Sequence, residues 1–150
     1  MLQTPLQECT ESSFTAETEL HLIAPEMVSS LWSTVSRELE RAINSPDMDI
    51  DSLRTLCEAG DAQLWVIVST RGGVLFSFTT EVFTHLTGWK TARITYGGGS
   101  GLKTLQETLP QVEIWAASMG CDEIEIYGRK GWGRVFPDYT PTAVVFTKEL

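Results

Sequence analysis

The chain has 150 residues, of which 42% are hydrophobic and 21% charged, and this composition is typical of one compact globular domain with a hydrophobic core. Its formal net charge is −9 with only 11 Lys and Arg residues, which argues against a nucleic-acid partner because phosphate binding requires clustered cations. No apolar run approaches the roughly 18 residues that a membrane span needs, and the three widely spaced cysteines fit reduced thiols rather than a disulfide framework.

The first predicted segment is a polar arm over residues 1–18, rich in Thr, Ser and Glu and without a hydrophobic period. The domain proper is expected over residues 19–150 and begins with a short strand over residues 19–24. Pro25 then suits the first turn of a helix. Apolar residues recur along that helix at three- and four-residue spacing: Val28, Leu31, Trp32, Val35, Leu39, Ala42 and Ile43.

A shorter helix is predicted over residues 52–59, with Asp51 as its N-cap and Gly60 as its C-terminal stop. After Gly60 the hydrophobic period changes from that of a helix to that of strands. Residues 64–69, 74–83 and 89–96 are rich in β-branched and aromatic residues and are separated by glycine-containing turns. They predict an antiparallel meander of three strands.

A glycine-rich junction follows this meander, where residues 93–102 read RITYGGGSGL. A strand-like run ends in glycines, and a helix-like segment begins directly afterwards. Glycine lets a ligand approach the main chain closely, and a helix start offers unpaired N–H groups and partial positive charge, which suit a phosphate. The alternative interpretation is a tight strand-to-helix turn without a ligand.

The helix after the junction is predicted to run to Gly120, with Pro110 kinking or splitting it because proline cannot donate to the carbonyl four residues back. A strand over residues 123–127 follows, then a short irregular or helical stretch. Trp132, Phe136 and Tyr139 in that stretch are expected to pack onto the sheet. Residues 143–148 predict a last strand.

This order of elements resembles the GCN5-related N-acetyltransferase (GNAT) superfamily over residues 19–150. That family writes its pyrophosphate loop Q/R-x-x-G-x-G/A; Gly99 and Gly101 match its glycines, and Tyr96 stands at the place of the Gln or Arg. The resemblance implies an α+β fold with a mixed, mostly antiparallel central sheet flanked by helices. It also implies an acetyl-coenzyme A site formed by Tyr96, Gly97, Gly98, Gly99, Ser100 and Gly101.

Residues 127–132 (YGRKGW) resemble the family's Tyr-x-x-x-Gly-Phe segment. The resemblance places Tyr127 on the tyrosine that many members use as general acid towards the leaving thiolate. The chain departs from the family here, because a helix that often carries a cofactor-binding Asn normally precedes this tyrosine, whereas Tyr127 follows the predicted strand directly. Tyr127 is therefore either the acid or a strand-end residue.

For the general base of acetyl transfer, Glu81 and His85 on the long third strand are the polar candidates, and Glu81 is preferred; the alternative is that both are solvated strand residues. The two histidines and the scattered cysteines show no metal-ligand spacing, so no metal site is predicted.

The block of residues 120–132 (GCDEIEIYGRKGW) is similar to small GNAT-like proteins encoded among the virion-structure genes of tailed phages. This resemblance implies a virion structural or assembly component with a degenerate acyl-coenzyme A site, located in the virion or the host cytoplasm. Its arm, residues 1–18, would contact other virion proteins.

One rival is an active acetyl-coenzyme A-dependent N-acetyltransferase acting on a small amine or a protein amino group. Another is a module that binds a peptide where the fourth and fifth strands separate.

Overall fold

The computed structural model describes residues 17–128 and 130–150. Within them, one five-stranded sheet has the order β1-β2-β3-β4-β5, antiparallel throughout except for the parallel pair β4–β5. The α+β fold with a mixed, mostly antiparallel sheet is therefore confirmed. The elements are, in chain order, β1 (Thr18–Ile23), a 3-10 turn (Pro25–Met27), α1 (Val28–Ala42), α2 (Ile50–Ala59), β2 (Gln63–Ser69), β3 (Val74–Thr84), β4 (Lys90–Gly99), α3 (Leu102–Ser118), β5 (Glu123–Ile126) and a 3-10 turn (Lys130–Arg134).

Two hydrophobic clusters lie on opposite faces of the sheet. Strand β2 shows why, since its alternate residues Leu64 and Val66 face α1 and α2 while Trp65 and Ile67 face α3. The Trp65 indole is buried, and its Nε1 donates to Thr80 Oγ1 at 3.0 Å, so its polar atom is satisfied. The sheet is consequently a middle layer with helices on both sides.

The bounds of the first strand and of the second helix differ from those predicted. Most of the arm, residues 1–16, lies outside the described residues, and Thr18 already belongs to β1. Helix α2 begins two residues earlier than predicted, and its N-cap is Asp49, whose carboxylate accepts from the Ser52 N–H at 2.7 Å. The prediction of Asp51 as the cap was wrong, because either aspartate precedes the apolar period and only the backbone conformation distinguishes them.

Helix α3 is continuous through Pro110, so of the two predicted outcomes, a kink or a split, the split does not occur. Pro110 is exposed, whereas Leu105, Leu109 and Val112 are buried against the sheet on both sides of it. Packing of this apolar face compensates for the one hydrogen bond that proline removes. No helix in the described parts of the chain combines the length and apolar character that crossing a membrane requires.

The end of the chain differs most from prediction. Residues 143–148 were expected to form a strand, but residues 140–150 contain no helix or strand and are exposed throughout. The packing predicted just before them is confirmed: Phe136 is buried in the α3-side cluster, with Trp132 and Tyr139 packed against it. Tyr139 Oη donates to Glu113 Oε2 of α3 at 2.6 Å, which fixes the chain at that point.

Candidate ligand-binding site

The glycine-rich junction links β4 to the amino end of α3, as the sequence predicted. Strand β4 is longer than expected, because Gly97, Gly98 and Gly99 pair with Phe78, Ser77 and Phe76 of β3. The turn itself consists of Ser100 and Gly101, with Gly101 at the N-cap position of α3 and φ at +109°. Of the six residues predicted to bind the cofactor, four therefore lie in a strand and two in the turn.

Two of these glycines are explained by packing alone. A Cβ on Gly98 would overlap the carbonyl oxygen of Glu38, because α1 crosses β4 at that residue. A Cβ on Gly99 would overlap the Leu75 carbonyl oxygen, and its φ of +135° already disfavours other residues. The close approach of helix and strands requires these glycines whether or not a ligand binds.

The start of α3 is the part of the junction that can bind an anion. Ser100 N–H donates to Leu75 O at 2.8 Å, and Thr104 N–H donates to Gly101 O at 2.9 Å. Between them, the N–H groups of Gly101, Leu102 and Lys103 have no acceptor among the described residues. A negative charge is favoured here by these three donors, by the positive end of the helix dipole and by the exposed Lys103 side chain.

Beside this helix start, β4 and β5 separate. Their parallel pairing extends from Thr91 to Ile94 on β4, and the last contact is Tyr127 N–H to Ile94 O at 3.1 Å. From residue 95 to residue 99, β3 is the only strand of the described chain that pairs with β4. The β5-facing edge of β4 therefore leaves main-chain groups open along a path towards the start of α3.

The two predicted catalytic residues share one face of the sheet, with Arg93 between them. Glu81 on β3 lies opposite Arg93 in the register of β4, and Arg93 forms an ion pair with Glu125 of β5. The Arg93 guanidinium carbon lies 4.3 Å from the centre of the Tyr127 ring and 4.4 Å from that of Phe83. Tyr127 is 60% exposed and lies just beyond the end of β5.

Arg93 and Phe83 were not predicted as site residues. In the sequence, Phe83 follows Val82 and Arg93 follows Ala92, so strand alternation places each of the two on the face opposite its apolar neighbour. The strand register that brings Phe83 and Arg93 next to Tyr127 comes only from the folded sheet. His85, the other candidate base, lies beside this cluster, with 4.9 Å between its ring centre and that of Phe83. Its Nε2 lies 3.0 Å from the buried Thr91 Oγ1, which donates to Glu123 Oε2 at 2.7 Å.

Tyr96 does not join the anion site. Its half-buried side chain packs against the cluster formed by α1 and α2, on the sheet face opposite α3. Burial raises the pKa of Tyr96, and the negative charges of Asp47 and Glu81 raise it further. The hydroxyl therefore stays protonated and contributes no charge to the binding of an anion.

The described residues contain no group of three or more His, Cys, Asp or Glu side chains placed to hold a metal ion. One depression on the described surface lies beside Pro25 and Gly60, and another lies between the end of α3 and β5. The glycine junction lines neither of them, and the candidate site consists of the open edge of β4 and the start of α3.

No protein-family model and no curated protein matches the sequence. Solved structures match the fold. The chain is similar to an aminoglycoside acetyltransferase from an uncultured soil metagenomic sample, with a TM-score of 0.66 at 12% identity, covering 89% of this chain and 96% of that one. A GNAT family acetyltransferase of Staphylococcus aureus gives 0.64 at 13% identity, covering 89% and 98%. Glucosamine-6-phosphate N-acetyltransferase of Arabidopsis thaliana gives 0.66 at 12% identity, with the same coverage. The chain therefore has the fold of GNAT acetyltransferases.

Proposed function

We propose that this chain is a phage-type GNAT-fold protein, a virion structural or assembly component that keeps the anion-binding end of an acyl-coenzyme A site and has a degenerate acyl-transfer apparatus. The observation that carries this proposal is the position of Tyr127. It follows β5 directly, and its ring stacks on Arg93, which is itself held by Glu125. The contact orients the ring at the end of the strand and leaves Tyr127 60% exposed, an open position unlike the water-excluding site in which a general acid normally acts.

The residues at the junction fit the diphosphate of coenzyme A. The free N–H groups of Gly101, Leu102 and Lys103 would hold its oxygens, and Gly101 leaves the approach without a side chain. The open edge of β4 beyond Ile94 offers main-chain partners for the amide groups of the thiol arm. When bound, acetyl-coenzyme A supplies a thioester whose acetyl group an amine can accept.

The particle role rests on two features of the sequence. The block over residues 120–132 is similar to small proteins of phage structural modules, and a polar arm of this kind can order against a neighbouring virion protein. The location we propose is accordingly the virion or, during assembly, the host cytoplasm. Finding the protein in purified phage particles at fixed stoichiometry tests this role, and finding it only free in infected cells contradicts it.

The second candidate is an active acetyltransferase acting on a small amine or a protein amino group. The unpaired donors at the start of α3 favour it, and so does the shared face of Glu81 and Tyr127. In that reaction the amine nitrogen attacks the thioester carbonyl while Glu81 takes its proton. The carbon–sulfur bond then breaks, and Tyr127 protonates the departing thiolate.

Calorimetry with acetyl-coenzyme A, followed by an assay for released thiol with amine substrates, separates the two candidates. Lys103→Glu is the variant of choice, since Lys103 is exposed and a carboxylate there competes for the same N–H groups. Lys148→Glu makes the same charge change in the exposed C-terminal segment and serves as control. Binding weakened by Lys103→Glu without thiol release supports a degenerate site. Thiol release that Tyr127→Phe abolishes supports the enzyme, and absence of binding removes the acyl-coenzyme A site from both.

A further inference from the structure

The C-terminal segment, residues 140–150, exposes an apolar run that a soluble chain normally covers. Val144, Val145 and Phe146 are 78%, 80% and 92% exposed. The surrounding sequence, TAVVFTK, has the β-branched and aromatic composition of a strand. Three consecutive exposed residues of this size mark an interaction surface.

Strand β5 offers the matching surface, because it ends the sheet and pairs with β4 alone. Its outer edge borders a groove beneath the end of α3, lined by Glu113, Ala116, Ala117, Cys121, Glu123 and Ile124. Ile124 and Ile126 face α3 and are only half-buried, whereas Glu123 and Glu125 face the other side of the sheet. An open edge with one apolar and one acidic face is ready to accept another strand.

We propose that residues 143–148 of one copy add as an antiparallel strand to β5 of a second copy, and that the second copy does the same in return. Charge selects the register, since Lys148 then lies opposite Glu123. The same register places Val145 beside Ile126 on the α3 side of the sheet. It also places Val144 beside the exposed ring of Tyr127.

The chain's own β5 is out of reach for this pairing. Tyr139 is fixed to Glu113, which lines the groove near the start of β5. An antiparallel strand on its own β5 would have to begin beside residue 128, at the far end of β5. The chain would therefore first have to run the length of β5, roughly 15 Å at about 3.3 Å per residue, and then reverse direction. The four Cα–Cα steps from Tyr139 to residue 143 span at most roughly 14 Å, with no residue left for a turn. A second copy removes this restriction, and a two-fold axis makes both contacts identical.

Sedimentation velocity on the full chain over a range of concentrations tests the proposal. We expect a monomer–dimer equilibrium in which Val145→Asp raises the dimer Kd by about tenfold or more, because the carboxylate would lie beside Ile126. Leu150→Asp is the matched control: it makes the same change at an exposed apolar residue beyond the added strand, and it should leave the Kd unchanged. Both residues are exposed in the single chain, so neither variant disturbs its folding.

Hydrogen exchange on the same samples locates the contact. Amides of residues 143–148 and of β5 should gain protection together, in proportion to the dimer fraction. A chain that stays monomeric at every concentration overturns the proposal. So does a dimer that Val145→Asp leaves intact, which places the interface elsewhere. Protection of residues 143–148 in the monomer also overturns it, since the segment would then pair within its own chain.

Discussion

The guanidinium of Arg93 stacks on the ring of Tyr127, with 4.3 Å between the guanidinium carbon and the ring centre. The contact joins β4 to the residue that ends β5, at the point where these two strands separate. Because Arg93 also pairs with Glu125 and lies over Phe83, one cation holds three side chains on this face of the sheet. This arrangement fixes the orientation of the Tyr127 ring, and substitution of Arg93 or Tyr127 tests it.

Arg93→Ala is expected to lower the free energy of unfolding by about 1–2 kcal/mol, because it removes two cation–π contacts and a partly buried ion pair. It also leaves Glu81 and Glu125 on this face without the cation between them. Urea unfolding measures the change. Tyr127→Phe keeps the ring and should stay within about 0.5 kcal/mol of the wild type. An equal loss in both variants would mean that the tyrosine hydroxyl has a buried partner.

Gly98→Ala tests the packing explanation for the glycine junction. The added methyl group would overlap the Glu38 carbonyl oxygen, which belongs to the backbone of α1 and cannot rotate away. We expect a loss of about 1–3 kcal/mol in unfolding free energy, as overpacking at rigid sites causes. Gly133→Ala, where an added Cβ meets nothing within 4 Å, provides the control. Thermal unfolding of the two variants side by side gives the comparison, and equal midpoints would contradict the close crossing of α1 over β4.

Tyr139→Phe tests the anchor that precedes the exposed C-terminal segment. The substitution removes the 2.6 Å hydrogen bond to Glu113 and leaves that partly buried carboxylate without its donor. A loss of about 1–3 kcal/mol in unfolding free energy is expected. Chemical denaturation at neutral pH is the measurement, since burial and the Glu113 contact raise the pKa of Tyr139 and keep its hydroxyl protonated there. A value near zero would show that water replaces the tyrosine as donor to Glu113.

Cys57 makes stability depend on pH in the alkaline range. Burial raises the pKa of its thiol from 9.0 to about 12, with smaller contributions from the charges of Glu81 and Glu58. The unfolded chain therefore releases this proton first, so the native state binds more protons and loses stability as pH rises above 9. Cys57→Ala should give a flatter curve of unfolding free energy between about pH 8 and pH 11. Parallel curves for the two proteins would show that the thiol ionises at the same pH in the native state as in the unfolded chain.

Most elements could be predicted from the sequence because hydrophobic period and turn residues are local signals. The meander of β2, β3 and β4 and the turn into α3 are confirmed. The errors lie where a local signal allows two outcomes. Asp49 and Asp51 can both cap α2, Pro110 is compatible with a kinked or a continuous helix, and Gly97–Gly99 can form a loop or a strand. Local backbone conformation decided the cap, whereas packing against distant elements decided the other two outcomes.

For the candidate site, the order of residues is enough to predict that glycines precede a helix start and that its N–H groups are available to an anion. The folded chain was needed to see that neighbouring backbone requires Gly98 and Gly99 and that Tyr96 faces away from the site. It also decided that Arg93 occupies the space between Glu81 and Tyr127. The physical reason is that a helix start depends on residues adjacent in sequence, whereas strand register and helix crossing join residues far apart in it.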